Sequence, residues 1–444
     1  MPMRQRDIFW FWLPLFASWL LMSAEGPIIS AAINRLPNEV VMLAAQGLVL
    51  SLSVTIESPI INILATTTAL AKDRPAYVLI RRFVWHWNAA LTAVAFLVAY
   101  TGLFDVIVIG WMSVPLEVAE WVRVGLRIMV PWSAAIGWRR FCQGLLIRYG
   151  QTRKVAWGTL VRLATSGGSA IALALWSGWP GVTIGATALV AGVVAEAIYA
   201  TIAARPVIRQ EFGPGSLRGE EKPLTYRDLF WFHLPLAGTS LLILLVQPMV
   251  AFSLARLDHP TQSLAAWPLV FQLMLISRSA AFALPEVVIA LTRGPATLQP
   301  MRRFAFNLVI VNTLIVALLI FTPLIQVYLF GIQDTTPEVG RVAQQGLVLF
   351  VLWPALTVIT TWLRGLLIST RATTAVNAAM GINLLVTATL LFLGVSLRLD
   401  SIFAAALALN GASLAEIGVL WWGAQGRLRR ITDRRLDSAT PAQV

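Results

Sequence analysis

The chain has 444 residues, of which 58% are hydrophobic and only 12% charged, with a mean hydropathy of +0.75. A soluble globular chain runs nearer ~45–50% apolar and ~25% charged, so an ordinary soluble enzyme, a disordered chain and a collagen or coiled-coil rod are excluded. The net charge of +13 would point to nucleic acid in a soluble protein. In a membrane protein it reads as basic cytoplasmic loops, and no nucleic-acid partner is expected.

At ~20 residues per crossing, this length admits roughly a dozen membrane helices. The apolar runs are continuous and do not alternate as barrel strands do, which argues against a porin-type barrel. The start, Met1–Asp7, is short and basic ahead of an apolar run. That is the outline of a signal peptide, but no small-x-small cleavage site follows, and the repeat described below makes the segment part of the fold.

In chain order, the first six apolar stretches are 8–33, 41–66, 83–104, 119–147, 155–178 and 181–203. The second six are 229–254, 263–291, 304–330, 341–368, 374–396 and 402–422. Between the sets lies 204–228, a polar stretch holding Arg205, Arg209, Glu211, Arg218, Glu220, Glu221, Lys222, Arg227 and Asp228 with Gly213, Pro214, Gly215 and Gly219. It reads as a cytoplasmic linker between two halves. The expected organisation is therefore a first six-helix bundle over 1–203, the linker, a second bundle over 229–426, and a polar, mobile cytoplasmic tail over 427–444.

Alternating the loops between two sides puts 23 Lys and Arg on one and four (Arg35, Arg256, Arg341, Arg398) on the other. This positive-inside split predicts cytoplasmic termini and an even number of crossings, and the membrane expected is the plasma (inner) membrane. The single cysteine, Cys142, allows no intrachain disulfide. With His86, His233 and His259 as the only histidines, no spaced Cys/His metal cluster can form.

The two sets of spans repeat one another. Phe9-Trp-Phe-Trp-Leu-Pro-Leu15 returns as Phe230-Trp-Phe-His-Leu-Pro-Leu236, an offset of 221. The same offset pairs Pro27 with Pro248, Arg35-Leu36 with Arg256-Leu257, and Leu43-Ala-Ala45 with Leu264-Ala-Ala266. It also pairs Arg81-Arg82-Phe83 with Arg302-Arg303-Phe304, and Gly144-Leu-Leu-Ile147 with Gly365-Leu-Leu-Ile368. Six spans per copy is an even number, so both copies start on the same side. The fold class expected is all-α integral membrane, twelve transmembrane helices in two parallel six-helix repeats with a cleft between them, which rocking would expose to each side in turn.

This duplication, the Trp/Leu-Pro opening of each half and the Gly-Leu-Leu-Ile ends of spans four and ten resemble the MATE-like multidrug and polysaccharide flippase superfamily. Within it the chain is most similar to the progressive ankylosis group, on Glu25, Met42-Leu-Ala44, Gly47-Leu48, Ser51-Leu52, Pro59, Phe230-Trp231, Pro235-Leu236-Ala237, Pro248 and Arg256. The superfamily resemblance implies a V-shaped alternating-access transporter. The narrower one implies export of a small anion such as pyrophosphate, a nucleotide or citrate.

Ionisable residues at membrane depth are costly, and they face a cavity or a partner. Glu25 lies two residues before Pro27, which removes a backbone donor. A carboxylate beside a broken turn is a candidate coupling site for H+ or Na+, or else a structural lock on a neighbouring helix. Its counterpart is Val246, with Gln247 and Pro248 beside it. Glu57 and Arg278 are equivalent at offset 221. They either bridge the cleft as a gate that an anion would open, or each faces its own bundle, Arg278 near Glu286. Arg139, Arg140 and Arg364 either floor the cleft as a positive substrate site or reach the cytoplasmic headgroups. Arg123 and Arg127 read as snorkelling at the outer end. Glu196 and Glu416 recur in both halves and read as structural, with Arg162 a possible partner of Glu196. His233 reads as a headgroup-level histidine.

No Walker-type Gly-x-x-x-x-Gly-Lys-Ser/Thr motif and no metalloprotease pattern occurs. The expectation is a gradient-driven transporter and not an enzyme, a monomer with a small anionic substrate, the bilayer as partner, and no cofactor beyond a coupling ion. Two rivals stand beside it: a lipid-linked saccharide flippase or cation-coupled drug antiporter of the same fold, and an integral-membrane enzyme acting on lipids.

Overall fold

A backbone inside hydrocarbon must satisfy its polar groups within each segment, and continuous apolar runs do so as helices. The structure, a computed structural model, describes residues 4–213, 223–292, 295–369 and 373–437. Over these residues it is all-helical, with no strand. Among the described residues, eleven helical segments are long and apolar enough to cross a membrane. The remaining expected crossing, span four, is two shorter helices, Leu116–Met129 and Trp132–Arg148, parted at Pro131, which has no N–H to give. Span ten is divided at the equivalent place into Pro337–Phe350 and Leu352–Ser369.

The repeat extends to backbone detail. The second span breaks at Asn62 and the eighth at Ala283, one offset of 221 apart. Short π-helices follow the third and ninth spans at Asp105–Trp111 and Val327–Ile332. Left-handed residues also pair: Asn38 (φ 58°) with His259 (φ 52°), and Ser113 (φ 56°) with Asp334 (φ 52°). Gly178 (φ 64°) pairs with Arg398 (φ 51°) at offset 220, so one residue is lost between the copies before that point.

Close helix approaches repeat as well. A Cβ on Gly125 would meet Val182 at 3.1 Å, and one on Gly346 would meet the carbonyl carbon of Ile402 at 2.5 Å. A Cβ on Gly144 would meet Thr67 at 2.6 Å and one on Gly365 would meet Val288 at 2.9 Å, which accounts for the glycine that opens each Gly-Leu-Leu-Ile. Overpacking of this kind costs about 1–3 kcal/mol. We expect Gly346→Ala to lower the melting temperature in detergent, because the obstacle is backbone. Gly418→Ala, where nothing lies within 4 Å, should not lower it.

Two expected boundaries move. The helix Gly181–Glu211 carries span six well into the expected linker. The last helix, Ser401–Asp437, continues through the start of the expected tail, whose arginines and leucines are good helix formers. The linker residues Pro214, Gly215, Arg218, Gly219, Glu220, Glu221 and Lys222, the loop arginines Arg293 and Arg371, and the chain after Asp437 lie outside the described residues.

Contacts group the chain into two compact units that do not coincide with the two sequence halves. One comprises Met1–Ser23, Leu269–Ile332 and Gly340–Val444; the other comprises Ala24–Pro268 and Gln333–Val339. The first helix up to Ser23 groups with second-half helices while its remainder, from Ala24, stays with the first half, and the seventh span, Tyr226–Leu254, groups with first-half helices. In the former unit, Ile8 and Trp12 are buried in a core with Ala280, Leu284, Phe304 and Val358. The Trp12 indole N–H donates to the Ala280 carbonyl at 2.9 Å, in the turn before the break at Ala283. In the latter unit, His233 Nε2 lies 3.0 Å from the Pro59 carbonyl in the turn before the break at Asn62.

Trp12 and His233 are equivalent at offset 221, and so are Pro59 and Ala280. Each ring N–H therefore supplies a donor to a carbonyl at a helix end, where helical donors run out. His233 is fully buried, with its ring edge-on to Phe83 and Trp87. A carbonyl only accepts, so Nε2 carries the proton and Nδ1 accepts from the Thr66 hydroxyl at 2.9 Å. Replacing His233 by leucine strands these groups, at about 1–3 kcal/mol each. We expect a clearly lower melting temperature for His233→Leu than for His233→Gln, which keeps an N–H donor.

Candidate functional site

The unit with most first-half helices buries a cluster of ionisable side chains. The helix Gln5–Ile33 supplies Glu25 and the helix Glu39–Ile61 supplies Glu57. Trp132–Arg148 supplies Arg139, Arg140 and Gln143; Thr152–Trp176 supplies Arg162; and Gly181–Glu211 supplies Glu196. Glu25 takes a two-pronged bond from Arg162, Nε to Oε1 at 3.0 Å and Nη2 to Oε2 at 2.5 Å. The Arg162 guanidinium also lies over the Trp132 ring, 5.5 Å from its centroid. Arg139 forms an ion pair with Glu196, and Gln143, one turn further on, donates to the other Glu196 oxygen at 2.9 Å. Arg139, Arg140 and Arg162 all act electrostatically on Glu57.

Three carboxylates thus face three guanidiniums and the formal charges cancel, but the hydrogen bonding is incomplete. Arg140 Nε and Arg139 Nε are buried and have no hydrogen-bond partner. Arg140 has neither an ion pair nor a hydrogen bond among the described residues of its unit.

The other unit repeats part of this arrangement with different charge. Glu416, equivalent to Glu196, accepts from Arg364 Nε at 2.7 Å and from Asn383 at 2.9 Å. Arg364 is the counterpart of Gln143, so the same position on the tenth span as on the fourth holds the glutamate. Arg278 takes the place of Glu57. Its Nε donates to the Thr357 hydroxyl at 2.7 Å, and its guanidinium sits 3.7 Å from the Trp353 ring centroid and 5.1 Å from that of Phe282. Trp353 is the counterpart of Trp132, so in each copy an arginine lies on the tryptophan that opens the second part of the divided span. Within its own unit Arg278 forms no ion pair among the described residues.

Several sequence readings change here. Arg162 pairs with Glu25 and not with Glu196, whose partner is Arg139, because Arg139 and Gln143 present the same face of one helix to Glu196. Arg139 is 4% exposed and does not extend to headgroups. The first helix runs unbroken through Pro27, so no broken turn lies beside Glu25. Gln247 does sit next to a break, at Leu245, where its Oε1 accepts from the Trp267 indole at 3.1 Å. Glu57 belongs to one unit and Arg278 to the other. Arg123 pairs with Asp105, and Arg127 Nε donates to the Ala99 carbonyl at 3.3 Å, both at the end of the third span where the outer arginines were expected. At the same end Arg256 donates to the Met112 carbonyl at 2.9 Å and also bonds that of Trp111.

The sequence reading missed the tryptophan beneath each arginine, although the offset pairs Trp132 with Trp353. It also missed Asn62, which donates to the Leu236 carbonyl at 2.8 Å and to Ser240 at 2.5 Å from the break in the second span.

No protein-family model matches the chain. No curated protein is significantly similar to it in sequence. The fold is that of MATE-type transporter structures. An inward-facing multidrug-resistance MATE family transporter of the MOP superfamily superposes with a TM-score of 0.70 at 14% identity, over 94% of this chain and 96% of that one. The lipid II flippase MurJ in an inward closed conformation superposes with a TM-score of 0.68 at 12% identity, over 93% and 87%. A MOP superfamily transporter from Pyrococcus furiosus, described as having a binding pocket of reverse polarity that suggests a different function, superposes with a TM-score of 0.60 at 11% identity, over 97% of each chain.

Proposed function

We propose that this chain is an alternating-access secondary transporter that exports a small organic or phosphorylated anion across the plasma membrane, with both termini cytoplasmic. The observation that carries the anion is Arg278, a guanidinium held on an aromatic face within an apolar span and lacking an ion pair in its own unit. Guanidinium forks match carboxylate and phosphate, and like charge disfavours a cationic drug beside them. Arg140, whose Nε is buried without a partner, is the corresponding substrate contact in the first half. The Pyrococcus transporter with a pocket of reversed polarity lends support by analogy.

In this reading Arg139 and Arg364 are neutralised by Glu196 and Glu416 and hold their helices together, leaving them secondary as substrate contacts. Gln247, bonded to Trp267, is likewise secondary. Glu25 is the coupling carboxylate: protonation by an incoming H+ would cancel its bond to Arg162 and release a second guanidinium. Glu57 and Arg278, equivalent in the two halves, are the gating pair. The resemblance to the progressive ankylosis group makes pyrophosphate, nucleotides and tricarboxylates the cargoes to test first.

A second reading, a lipid-linked saccharide flippase, draws on the likeness to the lipid II flippase, since fold alone does not set cargo. The test is a metabolite profile of the medium around cells expressing the wild type, Glu25→Gln or Arg278→Ala at matched membrane levels. Enrichment of a small anion by the wild type alone supports export. No difference in any anion rejects it in favour of the flippase or antiport reading.

A further inference from the structure

At the basic end of the third span, a pocket of about 440 Å³ is lined by Val78, Arg81, Arg82, Trp85 and Trp138. It is of the size of small-ligand sites, typically ~300–1,000 Å³. All but Trp138 belong to the first turns of the helix Arg74–Tyr100, which follows the loop carrying Lys72. Trp138 comes from Trp132–Arg148 and is pinned by its indole N–H to Thr201 at 2.8 Å. The two indoles are tilted at 45° with centroids 5.6 Å apart. Trp85 is 59% exposed. Arg81 and Arg82 are both exposed; Arg81 lies 5.6 Å over the Tyr77 ring, and neither has a carboxylate partner among the described residues.

Two unpaired guanidiniums beside one exposed and one half-buried indole, on the side of the chain that carries most of its basic residues, match the chemistry of an inner-leaflet interface. Arginines there pair with lipid phosphate, and tryptophans settle at headgroup level. We propose that Arg81, Arg82, Trp85 and Trp138 form a site for the phosphate headgroup of an anionic lipid, the arginines holding the phosphate and the indoles lining the glycerol and upper acyl region. This site is separate from the buried charges and does not depend on the transport reading.

The repeat supplies an internal control. Arg302 and Arg303 occupy the equivalent positions and are also exposed, but Phe306 and Ile359 stand where Trp85 and Trp138 do, and Gln299 where Val78 does. A general attraction of positive charge would use both pairs; a built site uses only the first.

The experiment is native mass spectrometry of the full-length protein purified in detergent with phosphatidylglycerol or phosphatidylcholine, alongside the R81Q/R82Q and R302Q/R303Q variants. The wild type and R302Q/R303Q should retain phosphatidylglycerol preferentially, and R81Q/R82Q should lose about fivefold or more of that preference. Should R81Q/R82Q elute as misfolded, Trp85→Ala carries the same expectation. Equal losses from both arginine pairs, or from neither, would overturn the proposal. Displacement of the lipid by soluble glycerol phosphate at matched concentration would overturn it too, in favour of a site for a free phosphate.

Discussion

Glu196→Ala should destabilise the protein by about 3–5 kcal/mol, the cost of leaving a buried charge without its partner. Glu196 is fully buried and binds both Arg139 and Gln143. Arg139 is itself 4% exposed and cannot turn to water when the carboxylate is removed. Removing both charges is a different matter, because a buried pair costs its own desolvation. The double replacement Glu196→Met with Arg139→Met should recover most of the loss. The repeat provides a graded comparison. Arg364, which pairs with Glu416, has a side chain 27% exposed, so Glu416→Ala should cost less than Glu196→Ala. Melting temperatures in detergent, with equilibrium unfolding of the wild type and these three variants, measure the ordering. A Glu196→Ala protein as stable as the wild type would show that Arg139 does not depend on Glu196.

Arg278→Ala should abolish anion export while leaving the protein folded. Truncating one partner of a desolvated charge-assisted contact costs about 2 kcal/mol or more, at least ~30-fold in apparent affinity. The fold loses less than in Glu196→Ala, because no buried charge is left unpaired and Thr357 keeps its bond to the Trp353 carbonyl. Arg278 contributes one bond to Thr357 and its stacking on Trp353, with cation–π contacts worth about 0.5–2 kcal/mol. Arg278→Lys keeps the charge but not the planar fork, so export should fall between the two. Uptake of labelled pyrophosphate or citrate into inside-out vesicles, at matched protein and with melting temperatures in parallel, separates transport from folding. Unchanged transport in Arg278→Ala would remove Arg278 from the mechanism. A melting temperature that falls as far as that of Glu196→Ala would make its role structural.

The spans, the duplication and its offset were legible without coordinates because each is a local property. Apolar run length, the side on which arginines collect and a recurring Trp/Leu-Pro opening are all written within one segment at a time. The offset of 221 even carries structural detail: it locates the equivalent helix breaks at Asn62 and Ala283 and the equivalent left-handed residues Asn38 and His259. Candidate site residues were found for the same reason, since a charge inside an apolar run is conspicuous.

Their partners were not legible. Glu25 meets Arg162 across 137 positions of sequence, and Arg139 meets Glu196 across 57. Nothing in either segment says which carboxylate a guanidinium will reach; helix packing and azimuth decide that. Three arginines that read alike on the sequence therefore differ: Arg139 is neutralised, whereas Arg140 and Arg278 are not paired within their units. His233 looked like a polar intrusion near a membrane surface. Only its packing shows it donating a hydrogen bond to the Pro59 carbonyl, as Trp12 does to that of Ala280 in the other unit.

By itself the sequence determined an all-helical, duplicated membrane protein with buried charge, because hydrophobic length, charge bias and repetition are additive along the chain. The tertiary structure decided that the opening of the first helix groups with the second half and the seventh span with the first, and which charges stand compensated. Those outcomes depend on pairwise distances of a few ångströms in a low-dielectric interior, where a shift of one helical position changes which ions meet.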